Sequence, residues 1–145
     1  MKNQYVSFKS APLVILGGGV HQIPYILYCK QNHINTLVVD QNRDCPAKKY
    51  CDYLMCIKTP NNESVKVYKA IKKITLEFGI SGVLVAGVEL AILGSFLARK
   101  FKTKSIGLLA AKNATNKINR AKIFRKNFIP YANFEILKDI NFCNK

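Results

Sequence analysis

Apolar residues in this chain fall into short unbroken blocks, and between the blocks they recur every three or four positions. Pro12-Leu13-Val14-Ile15-Leu16, Asn35-Thr36-Leu37-Val38-Val39-Asp40 and Gly82-Val83-Leu84-Val85-Ala86 are the blocks. Runs of this length suit strands buried on both faces, the parallel-sheet pattern. Tyr53–Ile57 is a shorter third-strand candidate, and Ser105-Ile106-Gly107-Leu108 a fifth. The intervening segments have helical spacing. One helix is expected from about Val20 to Gln31, with Pro24 near its first turn. Another spans Asn61–Phe78, with Val67, Ile71, Ile74 and Phe78 on one face and Gly79 as its stop. Val88–Lys102 is a third, and Asn116–Asn127 a fourth, with Ile118, Ala121 and Phe124 toward a core and Pro130 ending it. Gln41–Lys49 reads as a loop entering a short helix, residues 1–11 as a lead, and Tyr131–Leu137 as the start of a new strand. Strand and helix alternate through residue 108. That order predicts an α/β fold: a parallel sheet of about five strands with flanking helices, right-handed crossovers and the first strand at its centre.

Ligands of such sheets gather at the carboxyl ends of the strands. Three strand ends carry residues suited to that. Gly17-Gly18-Gly19 closes the first strand, letting a ligand approach the backbone, and Val20 and His21 open the helix whose N–H groups can face an anion. Asp40 closes the second strand and can accept hydrogen bonds from hydroxyls. Gly87-Val88-Glu89 closes the fourth. The plainer readings are a tight glycine turn, an aspartate that caps its loop and a glutamate that favours a helix N-terminus. The expectation is that Gly17, Gly18, Gly19, Asp40, Gly87 and Glu89 converge on one cleft. A dinucleotide fingerprint needs G-x-G-x-x-G. Gly17 and Gly19 fit it, Asp40 supplies the acid, and Gln22 stands where the third glycine belongs. NAD binding is therefore a weak reading.

Composition changes this picture little. The chain has 145 residues, one domain's worth, and is 49% hydrophobic. Its formal net charge of +15 suits polyanion binding, yet the lysines are scattered over helices and loops, as on a solvated surface. No helix-turn-helix, zinc-finger or stacking motif accompanies them, so no specific nucleic acid is expected. The five cysteines, Cys29, Cys45, Cys51, Cys56 and Cys143, form no C-x-x-C pair, and the histidines are His21 and His33 alone. No metal site is expected. Free thiols and a polar start point to the cytoplasm. Val83–Phe96 is the longest apolar stretch, broken by Gly87, Glu89 and Gly94, so no membrane association is expected.

Several of these segments resemble the pre-ATP-grasp domain of ATP-grasp ligases. Val14–Gly19 resembles its opening strand and glycine turn. Leu37–Asp40, then Pro46-Ala47 and Asp52, is similar to its second strand with the following acid, Pro-Ala and Asp. Gly82–Gly87 with Glu89-Leu90-Ala91 resembles its fourth strand and helix. Ser105-Ile106-Gly107 resembles the strand before its domain junction. Asn116-Lys117-Ile118-Asn119-Arg120, Phe124 and Ile129-Pro130-Tyr131-Ala132-Asn133-Phe134 resemble the family's D-K-x-x-x-R helix and G-I-P-x-P-x-F exit. Asn116 stands where Asp is usual, Phe128 where Gly is common and Ala132 where a second Pro is common.

The resemblance implies a Rossmann-like domain over residues 1–114 and an incomplete start of an ATP-grasp domain over 115–145, with a C-terminal helix and strand. It implies ligation of a carboxylate through an acyl phosphate, with ATP and Mg2+ used by the full-length enzyme and none held tightly by this chain. Carbamoyl-phosphate synthase-like, biotin carboxylase-like and purine-biosynthetic members stay open. Gly17, Gly18, Gly19, Val20, His21, Asp40, Gly87, Val88 and Glu89 would bind a small-molecule substrate. Lys117 would contact ATP, and no residue here would be catalytic. The rest of the ATP-grasp domain would lie in the same polypeptide, a homodimer is left open, and the chain alone would be inactive. The alternative is a stand-alone nucleotide- or dinucleotide-binding module.

Overall fold

The computed structural model describes residues 8–59 and 63–133. Four parallel strands form one sheet: β1 (Leu13–Leu16), β2 (Thr36–Asp40), β3 (Tyr53–Cys56) and β4 (Gly82–Val85), in the order β3-β2-β1-β4. β1 therefore lies inside the sheet, pairing with β2 from Leu13↔Thr36 and with β4 from Leu13↔Gly82. Among the described residues five α-helices accompany it: α1 (Ile23–Gln31), α2 (Ser64–Ile74), α3 (Ala91–Lys100), α4 (Leu108–Thr115) and α5 (Lys117–Lys126). Short 3-10 turns precede α1 at Val20–Gln22 and follow β2 at Pro46–Lys49.

Alternation along each strand sends side chains to opposite faces, which divides the core in two. Val14, Leu16, Leu37 and Val39 pack with Val67 and Ile71 of α2 and Leu93 and Leu97 of α3. Ile15 and Val38 pack on the other face with Ile26 of α1, Cys45 and Ala47. Burial on both faces is why β1 and β2 are continuous apolar runs. Phe8 lies in the segment read as a lead, yet it is buried, with its ring edge-on to Tyr53.

The fifth strand expected at Ser105–Leu108 does not form, so the sheet has four strands among the described residues. Gly107 has φ +82°, its N–H donates to the Ser105 hydroxyl, and that hydroxyl lies 3.1 Å from the Ser95 hydroxyl of α3. These bonds turn the segment back toward α3, and Leu108 begins α4. The helix expected at Asn116–Asn127 is present as α5, capped by the Asn116 side chain accepting from Asn119 N–H. Its expected core face is not buried: Ala121 and Phe124 are half-covered, Ile118 is exposed, and no residue of α5 is buried. Tyr131–Asn133 has no regular structure, and the remainder of the strand expected over Tyr131–Leu137 lies outside the described residues, as do Phe134 and Cys143.

Candidate functional site

Because all four strands run the same way, the residues that close them emerge on one edge of the sheet. The Gly17 N–H donates to the Val39 carbonyl, extending the β1–β2 ladder into the turn. Gly18 is then held on both sides. Its N–H donates to Asp40 Oδ2 at 2.6 Å, and its carbonyl accepts from Ala47 N–H at 2.9 Å. Asp40 Oδ1 accepts from Asn42 N–H at 2.7 Å. Both carboxylate oxygens thus hold backbone, which gives the loop-capping role a physical basis. A side chain on Gly18 would run into the Cys45 thiol beneath it. Burial, and then the Asp40 charge, push the Cys45 thiol above its ordinary value of 9.0, so it stays protonated at neutral pH.

Beside this turn lies a cleft of about 550 Å3. Gly17, Asp40, Val88 and Glu89 line it, so the ends of β1, β2 and β4 do meet. Gly18, Gly19, Val20, His21 and Gly87 are not in its wall. Gly18 is buried under the turn, Val20 and His21 are exposed on the 3-10 turn before α1, and Gly87, at φ +63°, packs close to the His21 Cβ. Lys117 begins α5, which contributes nothing to this wall.

The wall also contains Gln41, Lys58, Thr59 and Leu90, which sequence reasoning did not single out. Lys58 and Thr59 follow β3 as Asp40 ends β2, so the strand-end rule applied to the third strand finds them. Lys58 adds a cation to a wall that also carries two carboxylates. The cleft can therefore take an anionic group at Lys58 and an amine or hydroxyl at Glu89. Among the described residues no group of three or more His, Cys, Asp or Glu could hold a metal ion, and no helix is long and apolar enough to cross a membrane.

No protein-family model and no curated protein matches the sequence. Solved structures do match the fold. N5-carboxyaminoimidazole ribonucleotide synthetase from Thermotoga maritima superposes with a TM-score of 0.69 at 17% identity, over 92% of this chain and 35% of its own. Phosphoribosylglycinamide synthetase from Anaerococcus prevotii gives 0.70 at 16% identity, over 92% and 33%. This is a fold shared with part of each of these synthetases. L-amino acid ligase from Bacillus licheniformis extends the set, with a TM-score of 0.63 at 17% identity, over 84% of this chain and 31% of its own. The chain thus spans about a third of the length of these ligases, and at such identities the likeness concerns the fold.

Proposed function

We propose that residues 1–114 are the substrate-binding domain of an ATP-grasp ligase and that residues 115–145 begin its ATP-grasp domain. The observation that carries this reading is the meeting of three strand ends around one cleft, in a fold shared with ligases of that superfamily. Gly17, Asp40, Val88 and Glu89 form the substrate side. Gly18, Gly19, Val20, His21 and Gly87 shape the turns behind them. Lys58 takes the substrate's anionic group, while Glu89 accepts from its amine or hydroxyl.

Mg2+-ATP does not fit the described residues. They hold no group of three or more His, Cys, Asp or Glu that could bind a metal ion, and Lys117 stands on the exposed first turn of α5. Nucleotide and metal belong, on this reading, to the rest of the polypeptide, with Lys117 as the contribution from this part. The chain alone then turns over no ATP, since phosphoryl transfer needs charge clamps around the phosphates. Hydrolysis above a buffer control that is lost in Lys117→Ala would overturn this.

Binding is the direct test. Two of the similar synthetases are named for ribonucleotide or phosphoribosyl products, so ribose 5-phosphate is a fitting probe. In a 1H–15N NMR titration it should shift the amides of Gly17, Gln41, Lys58 and Glu89, and Lys58→Ala should weaken it. Shifts confined to the lysines of α5 would locate anion binding elsewhere and remove the basis for a substrate cleft. The dinucleotide-module reading has against it the side chain at position 22.

A further inference from the structure

Gln22 stands where a dinucleotide fingerprint has its third glycine, and its side chain has a definite place. The residue is 3% exposed. Glycines surround the carboxamide. A Cβ built on Gly17 would lie 3.5 Å from Gln22 Cδ, one on Gly19 would lie 3.2 Å from Oε1, and one on Gly87 would lie 3.4 Å from Nε2. The Nε2 group donates to the Ala86 carbonyl, which ends the run leaving β4. One side chain thus joins the turn after β1 to the turn after β4, elements far apart in sequence. Gly17 and Gly87 both have positive φ, a conformation few side chains tolerate, and the carboxamide lies within van der Waals range of each.

We propose that Gln22 is a positioning residue that fastens the Ala86–Glu89 turn to the Gly17–Gly19 turn and so sets Val88 and Glu89 at the cleft. Its relevance to a ligand rests on the substrate-cleft reading; its effect on the turn does not. Removing the donor leaves the part-buried Ala86 carbonyl without its protein partner, and an acceptor partly shielded from water is costly to leave unpaired. The turn then has reason to leave its place rather than simply lose a contact. An apolar side chain of equal length fills the same space and cannot hold that carbonyl.

The experiment compares Gln22→Met and Gln22→Glu with the parent chain by 15N NMR, without ligand. Gln22→Met should lower the heteronuclear NOE at Gly87, Val88 and Glu89 and move the 15N resonance of Gly87, whose peptide unit contains the Ala86 carbonyl. Val14 and Val38 should keep their values. Gln22→Glu should behave like Gln22→Met at neutral pH, where the new carboxylate can only accept, and should recover the parent Gly87 resonance on acidification, as the protonated carboxyl donates. A role in filling space alone leaves Gln22→Met parent-like and gives no such recovery, and either result overturns the proposal. Should one variant fail to fold, the other decides.

A ligand arm separates the two readings. If ribose 5-phosphate binds the parent cleft, Gln22→Met should weaken it about tenfold, the scale of one lost hydrogen bond; unchanged affinity counts against the proposal. A parent chain that does not bind the probe counts against the substrate reading, and the ligand-free spectra still judge Gln22.

Discussion

At the scale of single residues, the glycine turn is built more tightly than its sequence suggests. Gly18 does not have a positive φ, so its requirement is space, set by the Cys45 thiol. Gly18→Ala should destabilise the fold by about 1–3 kcal/mol, as overpacking does, in urea unfolding. Cys45→Ala in the same chain should return part of the loss, giving a coupling term in a double-mutant cycle; strict additivity would show that the two groups do not meet. The buried thiols also give the chain a pH dependence. Burial raises Cys29 and Cys45 above 9.0, with Asp52 and Asp40 adding to it. The folded state thus keeps its thiol protons after the unfolded chain has begun to lose them. Their contribution is complete below pH 9.0 and falls as pH rises through the folded values. The unfolding midpoint should drop above that pH, and less steeply in the Cys29→Ala, Cys45→Ala double variant. The three glycines were legible because a run of glycine at a strand end has few other uses. That Asp40 spends both oxygens on backbone was not, since it depends on where Gly18 and Asn42 come to lie. The bridge from Gln22 to Ala86 was invisible for the same reason.

Elements were legible where the pattern was strong. β1, β2 and β4 sit within a residue or two of their apolar blocks, because a strand covered on both faces leaves no choice of residue type. The helix ends were shorter than read: Phe78 lies beyond α2, which ends at Ile74, and Val88–Leu90 form the turn before α3. Ser105–Leu108 misled because four residues cannot tell a strand from a turn, and the bond from Ser105 to α3 decided the matter. α5 shows the opposite failure. Its spacing is helical, yet its five basic residues and the absence of any buried side chain mean that the described body does not need it. A chain ending at Asn116 should therefore keep the thermal unfolding midpoint of the longer chain. A substantial drop would mean that α5 supports the sheet and would move the proposed boundary near residue 114.

Over the whole molecule, the topological rule for parallel sheets located the cleft without any contact being known. It brought Gly17, Asp40 and Glu89 together, left Gly18, Gly19 and Gly87 outside the wall, and was not extended to β3 and hence to Lys58. Charge is distributed unevenly. From Leu90 to Asn133 there are ten lysines and arginines and no acidic residue. That stretch includes α3, α4 and α5, where Leu109 is 73% and Phe128 96% exposed. The acids of the described residues all precede it, with Asp40 and Glu89 at the cleft. Composition reported the total charge and could not report this separation, which lies in the order of residues along the chain.

The strand order also dictates a sequence of events in time. β1 meets β2 after a short excursion of the chain, Leu13 to Thr36, and β2 meets β3 sooner still, Leu37 to Tyr53. β4 must return across all of them for Gly82 to reach Leu13. Closing the longer loop costs more entropy before any contact rewards it. β4 should then dock after the β1–β3 unit has formed, and the cleft, which needs the β4 turn, is finished last. Stopped-flow kinetics can read this: Val85→Ala should speed unfolding and leave the folding rate nearly unchanged, while Val38→Ala should slow folding. The reverse pattern would place β4 in the nucleus. Since what forms last is released first, the same order makes the cleft the first part of the molecule to be surrendered under heat or denaturant.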